Sequence, residues 1–136
     1  MLKLIMGLRG SGKTKKLVDM VNEAVSKEDG AVVCIEKDKN LVYDIPYSVR
    51  LIHAAEYSVD SNAKFMGFVY GVLAGNYDIT HIFIDNFFKM LSDTSDAGVS
   101  AILDELNAYG EKNNVSFTVV ASADPANSGE SVTKYL

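Results

Sequence analysis

The chain has 136 residues, 48% of them hydrophobic and 23% charged, with a net charge of −5. That length suits one domain with its own core. The acidic balance speaks against a nucleic-acid partner, since phosphate neutralisation needs clustered Lys and Arg and only Arg9 and Arg50 are arginines.

LKLIM (Leu2–Met6) is a short apolar run that stops at Gly7 and reads as a buried strand. It is too short for a secretory signal or for the ~20 residues of a membrane span, so no membrane association and a cytoplasmic location are expected. After a glycine-rich turn, Lys13 to Lys27 places Leu17, Val18, Val21, Ala24 and Val25 on one helical face. Asp29-Gly30 closes that helix, and AVVCI (Ala31–Ile35) predicts a second strand, apolar on both faces. Its Cys34 is the one cysteine, which excludes an intramolecular disulfide and a four-cysteine zinc site and reads as a small buried hydrophobe.

Pro46 interrupts the middle of the chain, and VRLIHA (Val49–Ala54) predicts a third, short strand. Ser61 to Ala74 aligns Phe65, Met66, Val69, Val72 and Leu73 as a helical stripe, despite Gly67 and Gly71. HIFID, within Thr80–Asp85, is a strand that ends on an aspartate. Asp96 to Lys112 carries Val99, Ile102, Leu103, Leu106 and Tyr109 on one helical face, and Asn113-Asn114 ends it. VSFTVVA (Val115–Ala121) is the last strong strand. Residues 125–136 form a small, polar tail, expected to be partly disordered.

Strands that alternate with helices imply an α/β domain over residues 1–124, with parallel crossovers and a sheet covered on both faces. Ligands of such sheets bind at the carboxyl ends of the strands. The polar clusters Gly7–Thr14, Glu36–Lys39, Asp85–Asn86 and Ser122–Asp124 all fall at such ends.

The segment Gly7-Leu8-Arg9-Gly10-Ser11-Gly12-Lys13-Thr14 fits G-x-x-x-x-G-K-[ST] without a mismatch. Gly7, Gly10 and Gly12 let the backbone turn its N–H groups inward without Cβ atoms in the way of a phosphate. The helix that begins at Lys13 directs its positive dipole end at the same anion. Lys13 suits the β- and γ-phosphates, and the Thr14 hydroxyl suits Mg²⁺. Arg9 has two readings, a contact to phosphate or adenine and plain solvent exposure. In combination with this loop, Asp85 is the candidate carboxylate on the metal side, so Lys13 and Asp85 are the candidate catalytic pair.

On these two motifs the chain resembles the P-loop NTPase superfamily over most of residues 1–124. The resemblance implies a single three-layer domain with a mostly parallel, five-stranded sheet. It implies a nucleoside triphosphate with Mg²⁺ as ligand, and it implies that Val119–Asp124 inserts between the first strand and the aspartate strand; with no N/TKxD-like guanine signature, the nucleotide favoured is ATP. Members of the corresponding branch carry a glutamate directly after the metal-side aspartate as the base that activates water; this chain has Asn86. A positioned base contributes roughly 10²–10⁴ in rate and an arginine finger about 10³–10⁵, so the expectation is slow hydrolysis, or hydrolysis completed by a protein partner or by self-association. Asp124 is either a substitute base or a turn residue before Pro125.

The chain is also similar to type II thymidine kinases in the S-G-K-T end of its loop, in the Glu36-Lys37-Asp38 cluster and in the Ile84–Asp85 strand end. It lacks the glutamate and glutamine that follow the aspartate in that family, and it lacks the cysteines of the zinc-bound lasso. A nucleoside kinase with an acceptor near Glu36–Asp38 is therefore the alternative to a nucleotide-dependent switch. The first strand and loop further resemble those of small phage-assembly ATPases. Phe87 and Phe88 read as core residues, with packing beside a base as the other option.

Overall fold

A computed structural model describes residues 1–136. In chain order it contains β1 (Leu2–Gly7), α1 (Lys13–Lys27), β2 (Ala31–Glu36), β3 (Arg50–His53), α2 (Asn62–Ala74), β4 (Ile79–Ile84), α3 (Asp96–Asn113), β5 (Ser116–Ser122) and α4 (Glu130–Thr133). Short 3₁₀ turns occupy Ala54–Tyr57, Phe87–Met90 and Pro125–Asn127.

The five strands form one sheet in the order β1-β5-β4-β2-β3, and every neighbouring pair is parallel. The sheet is therefore wholly parallel, where a mostly parallel one was expected. β5 does insert between β1 and β4, in register from Leu2 with Phe117 to Gly7 with Ser122. β2 and β3 are joined by residues 37–49 without a helix, a connection just long enough to bring a parallel strand back.

Alternation along the strands builds two cores. Val32 and Cys34 of β2, Phe83 of β4 and Val120 of β5 face one way and pack with Leu17, Val21 and Ala24 of α1. Val33, Ile35, Ile82, Ile84, Phe117 and Val119 face the other way, where Phe65, Val69 and Leu73 of α2 and Val99, Ile102, Leu103 and Leu106 of α3 cover them. All three helical stripes read from the sequence face the cores, with Val18, Val25, Met66, Val72 and Tyr109 half-buried at their margins. Truncating a fully buried aromatic such as Phe65 to alanine costs about 3–5 kcal/mol.

Helix ends follow local chemistry. The Ser61 and Ser95 side chains accept from the N–H groups of Lys64 and Gly98, which caps α2 and α3. Asn114, at φ 56°, ends α3 in the left-handed conformation that asparagine tolerates.

The tail is ordered, contrary to expectation. Val132 is buried, the Gly129 N–H donates to Asp96 at 2.8 Å, and the Tyr135 hydroxyl bonds Asp104. The Tyr135 carbonyl accepts from the Leu4 N–H at 2.8 Å, which covers part of the outer edge of β1. The polar composition of the tail hid these few anchoring contacts. No helix is long and apolar enough to cross a membrane.

Candidate functional site

α1 leaves β1 on one face of the sheet, whereas α2 and α3 return on the other. A crevice opens at the carboxyl ends of the strands where the winding reverses, as the topology requires. It is a cleft of about 830 Å³ bordered by Arg9, Gly10, Gly12, Lys13, Thr14, Asp85, Asn86 and Ser122, together with Asn40, Leu41 and Lys89.

The loop from Gly7 to Thr14 is shaped by two glycines with positive φ, Gly10 at 87° and Gly12 at 85°, a region that other residues enter at a cost. Gly7 is held for a different reason: a Cβ there would lie 2.5 Å from the Ser11 hydroxyl. The Ser11 N–H donates to the Leu8 carbonyl at 3.1 Å, and the Lys13 ammonium donates to the same carbonyl at 2.9 Å. Lys13 thus folds back across its own loop. Arg9, Gly10, Gly12, Lys13 and Thr14 border the cleft, and Gly7 and Ser11 do not.

Asp85 follows the last residue of β4, and its N–H is fixed to the Ile35 carbonyl at 2.8 Å. Only 7% of Asp85 is exposed. Burial raises its carboxyl above the ordinary value, partly offset by the adjacent Asn86 N–H and by the Lys13 charge. Thr14 and Asp85 offer one hydroxyl and one carboxylate to the same cleft. That donor set fits Mg²⁺, which binds through one or two protein oxygens and completes its shell with water and phosphate. No group of three or more His, Cys, Asp or Glu side chains is arranged to hold a metal ion.

Asn86 stands at φ 54°, in the left-handed region. The chain turns sharply there, straight into the 3₁₀ turn Phe87–Met90, whose Phe87 and Met90 are fully buried. Asparagine suits that backbone better than glutamate, which has no short side chain to bond locally. Phe87 packs edge-on against Phe65 at 5.3 Å, so it belongs to the core and not to a base-binding surface.

Glu36, at the end of β2, sits beside Asp85 in the sheet, since Ile35 pairs with Ile84. Its carboxylate is fully buried and accepts from the N–H groups of Asn40 at 2.9 Å and Leu41 at 3.2 Å. The His53 Nδ1 lies 3.3 Å from Glu36 and 3.1 Å from the Asp38 carbonyl. Burial raises the Glu36 carboxyl, and the two N–H groups and His53 draw it back. Glu36 therefore folds the loop that puts Asn40 and Leu41 in the cleft wall, and it does not border the cleft itself.

The other candidates resolve as structural. The Asp124 side chain caps the following turn by accepting from the Ala126 N–H at 3.0 Å, and it does not border the cleft. Cys34 is buried and its thiol is pushed well above the usual range by that burial, so it is unreactive. His81 is pinned at both ring nitrogens, 2.7 Å from a Glu28 carboxylate oxygen and 2.8 Å from the Thr118 hydroxyl. Burial lowers its pKa, and because the Glu28 carboxylate only accepts, Nδ1 is the donor to it.

Lys89 and Asn40 were invisible to sequence reasoning. Lys89 lies in an aromatic stretch that reads as core, and Asn40 lies in a loop with no motif. A single charge inside the apolar run Phe87-Phe88-Lys89-Met90-Leu91 was the one available signal for Lys89. No protein-family model matches the chain, and no curated protein matches it.

Proposed function

We propose that the chain is a P-loop NTPase domain that binds ATP with Mg²⁺ in the cleft at the carboxyl ends of β1, β5 and β4. The observation that carries this reading is convergence. The glycine loop with Lys13 and Thr14 follows β1, Asp85 follows β4, and both border one cleft although 70 residues separate them. The inward N–H groups of the loop and the α1 N-terminus bind phosphate oxygens. Lys13 neutralises charge on the β- and γ-phosphates, and Thr14 with Asp85 holds the metal ion. Mg²⁺, when bound, supplies charge neutralisation along the phosphate chain.

Slow or partner-dependent hydrolysis accords with the side chains at hand. Asn86 has no basic group, and Glu36, at the adjacent strand end, is committed to Asn40, Leu41 and His53. The same commitment weighs against a kinase that holds its acceptor through Glu36. A domain that binds tightly and turns over slowly is suited to a nucleotide-dependent switch that acts on a protein partner or on a second copy.

The test is thermal unfolding with and without Mg-ATP. A ligand at a hundred times its Kd stabilises by about 2.7 kcal/mol. Lys13→Ala should erase that shift and leave the nucleotide-free transition unchanged. No shift of the wild-type protein at millimolar Mg-ATP would overturn the reading, and rapid unaided hydrolysis would overturn its catalytic half.

A further inference from the structure

We infer that Lys89 is a specificity-determining residue that contacts the terminal phosphate, so that the cleft distinguishes nucleoside triphosphate from diphosphate without a partner's arginine. This rests on the nucleotide reading above and adds a residue to it.

The cleft holds three cations, Arg9, Lys13 and Lys89, against one carboxylate, Asp85, in a chain whose net charge is −5. Arg9 and Lys13 come from the glycine loop after β1. Lys89 comes from the β4 side, two strands away from β1 and four residues beyond Asp85. The loop N–H groups cradle the inner phosphates, so the part of the ligand that faces the β4 wall is the terminal group. A cation on that wall adds affinity only when the third phosphate is present.

Lys89 is also held in place. Its N–H donates to the Asn86 carbonyl at 3.1 Å, and the next turn closes from the Leu91 N–H to the Phe88 carbonyl at 3.2 Å. Phe87 and Met90, both fully buried, anchor the backbone on either side. Between these anchors Lys89 is the exposed position, directed outward by the 3₁₀ turn. Its ammonium has no carboxylate partner, and of the lysines without one only Lys13 and Lys89 border the cleft. An unpaired cation on a rigid turn, facing an anion cradle, carries little reorganisation cost when an anion arrives.

The experiment is calorimetric titration of wild type, Lys89→Ala, Lys89→Arg and Lys13→Ala with Mg-ATP and Mg-ADP, after checking by circular dichroism that all four melt alike. Lys89→Ala should weaken ATP about tenfold and ADP less than about twofold, the loss of one charge-assisted contact. Lys89→Arg should keep most of the discrimination. An ATP/ADP affinity ratio in Lys89→Ala equal to that of wild type would overturn the inference and leave the nucleotide reading intact. If wild type bound neither nucleotide, the underlying reading would fall and the inference with it.

Discussion

Glu36 and Asp85 are neighbours at the ends of adjacent parallel strands, both are buried carboxylates, and burial raises the pKa of both. They differ in what is left over. Glu36 already accepts from two backbone N–H groups and lies 3.3 Å from His53, so its capacity is spent within its own loop. Asp85 has only the adjacent Asn86 N–H and the Lys13 charge in favour of its ionised form, and it opens onto the cleft. A raised pKa is common to both, so what separates them is hydrogen-bond capacity and access: only Asp85 presents its carboxylate to the cleft. Glu36 builds the wall; Asp85 borders the open cleft.

Removing the saturated partner should do the greater structural damage. Glu36→Ala strands the buried Leu41 N–H and frees the loop that holds Asn40, at a cost of about 2 kcal/mol in urea-induced unfolding. It should also weaken Mg-ATP, because the cleft wall loses its anchor. A wild-type unfolding midpoint in this variant would show that the Glu36 contacts contribute nothing net.

Asp85→Asn should act in the opposite sense. It removes a charge that burial disfavours, so the nucleotide-free protein should melt a few degrees higher, on the order of 1 kcal/mol. The Mg²⁺-dependent part of ATP stabilisation should vanish at the same time. A lower melting temperature without nucleotide would break the contrast between the two carboxylates.

The same contrast has a pH signature. Both native carboxyls titrate above their unfolded values, so the native state holds more protons between the two. Their contribution is greatest at low pH and falls as pH rises from the ordinary carboxylate value through the raised native one. Melting curves across that window should show a shallower fall in Asp85→Asn than in wild type, with the share due to Glu36 remaining.

The smallest effect concerns the residue beside Asp85. Asn86→Glu places a longer side chain at φ 54° and should cost about 1 kcal/mol without restoring hydrolysis. Faster turnover in this variant would show that backbone geometry does not bar a base at this position.

Much of the fold was legible because the relevant signals are local. The spacing of Leu17, Val21 and Ala24, or of Val99, Ile102 and Leu106, is a property of a few consecutive turns, and those residues are buried. GLRGSGKT between a strand and a helix, and HIFID ending on an aspartate, were readable for the same reason. The tail was misjudged because its order rests on distant partners, Asp96, Asp104 and Leu4, that no window of sequence contains.

By itself the sequence determined the five strands, the three long helices and their largely parallel winding, since periodicity and turn chemistry are written in neighbouring residues. Only the tertiary structure decided which polar groups are used up and which remain free. It spent Glu36 on Asn40 and Leu41, buried His81 between Glu28 and Thr118, and turned Asn86 so that Lys89 borders the cleft. Hydrogen-bond capacity is shared among groups far apart in the chain, and its balance exists only once they are packed together.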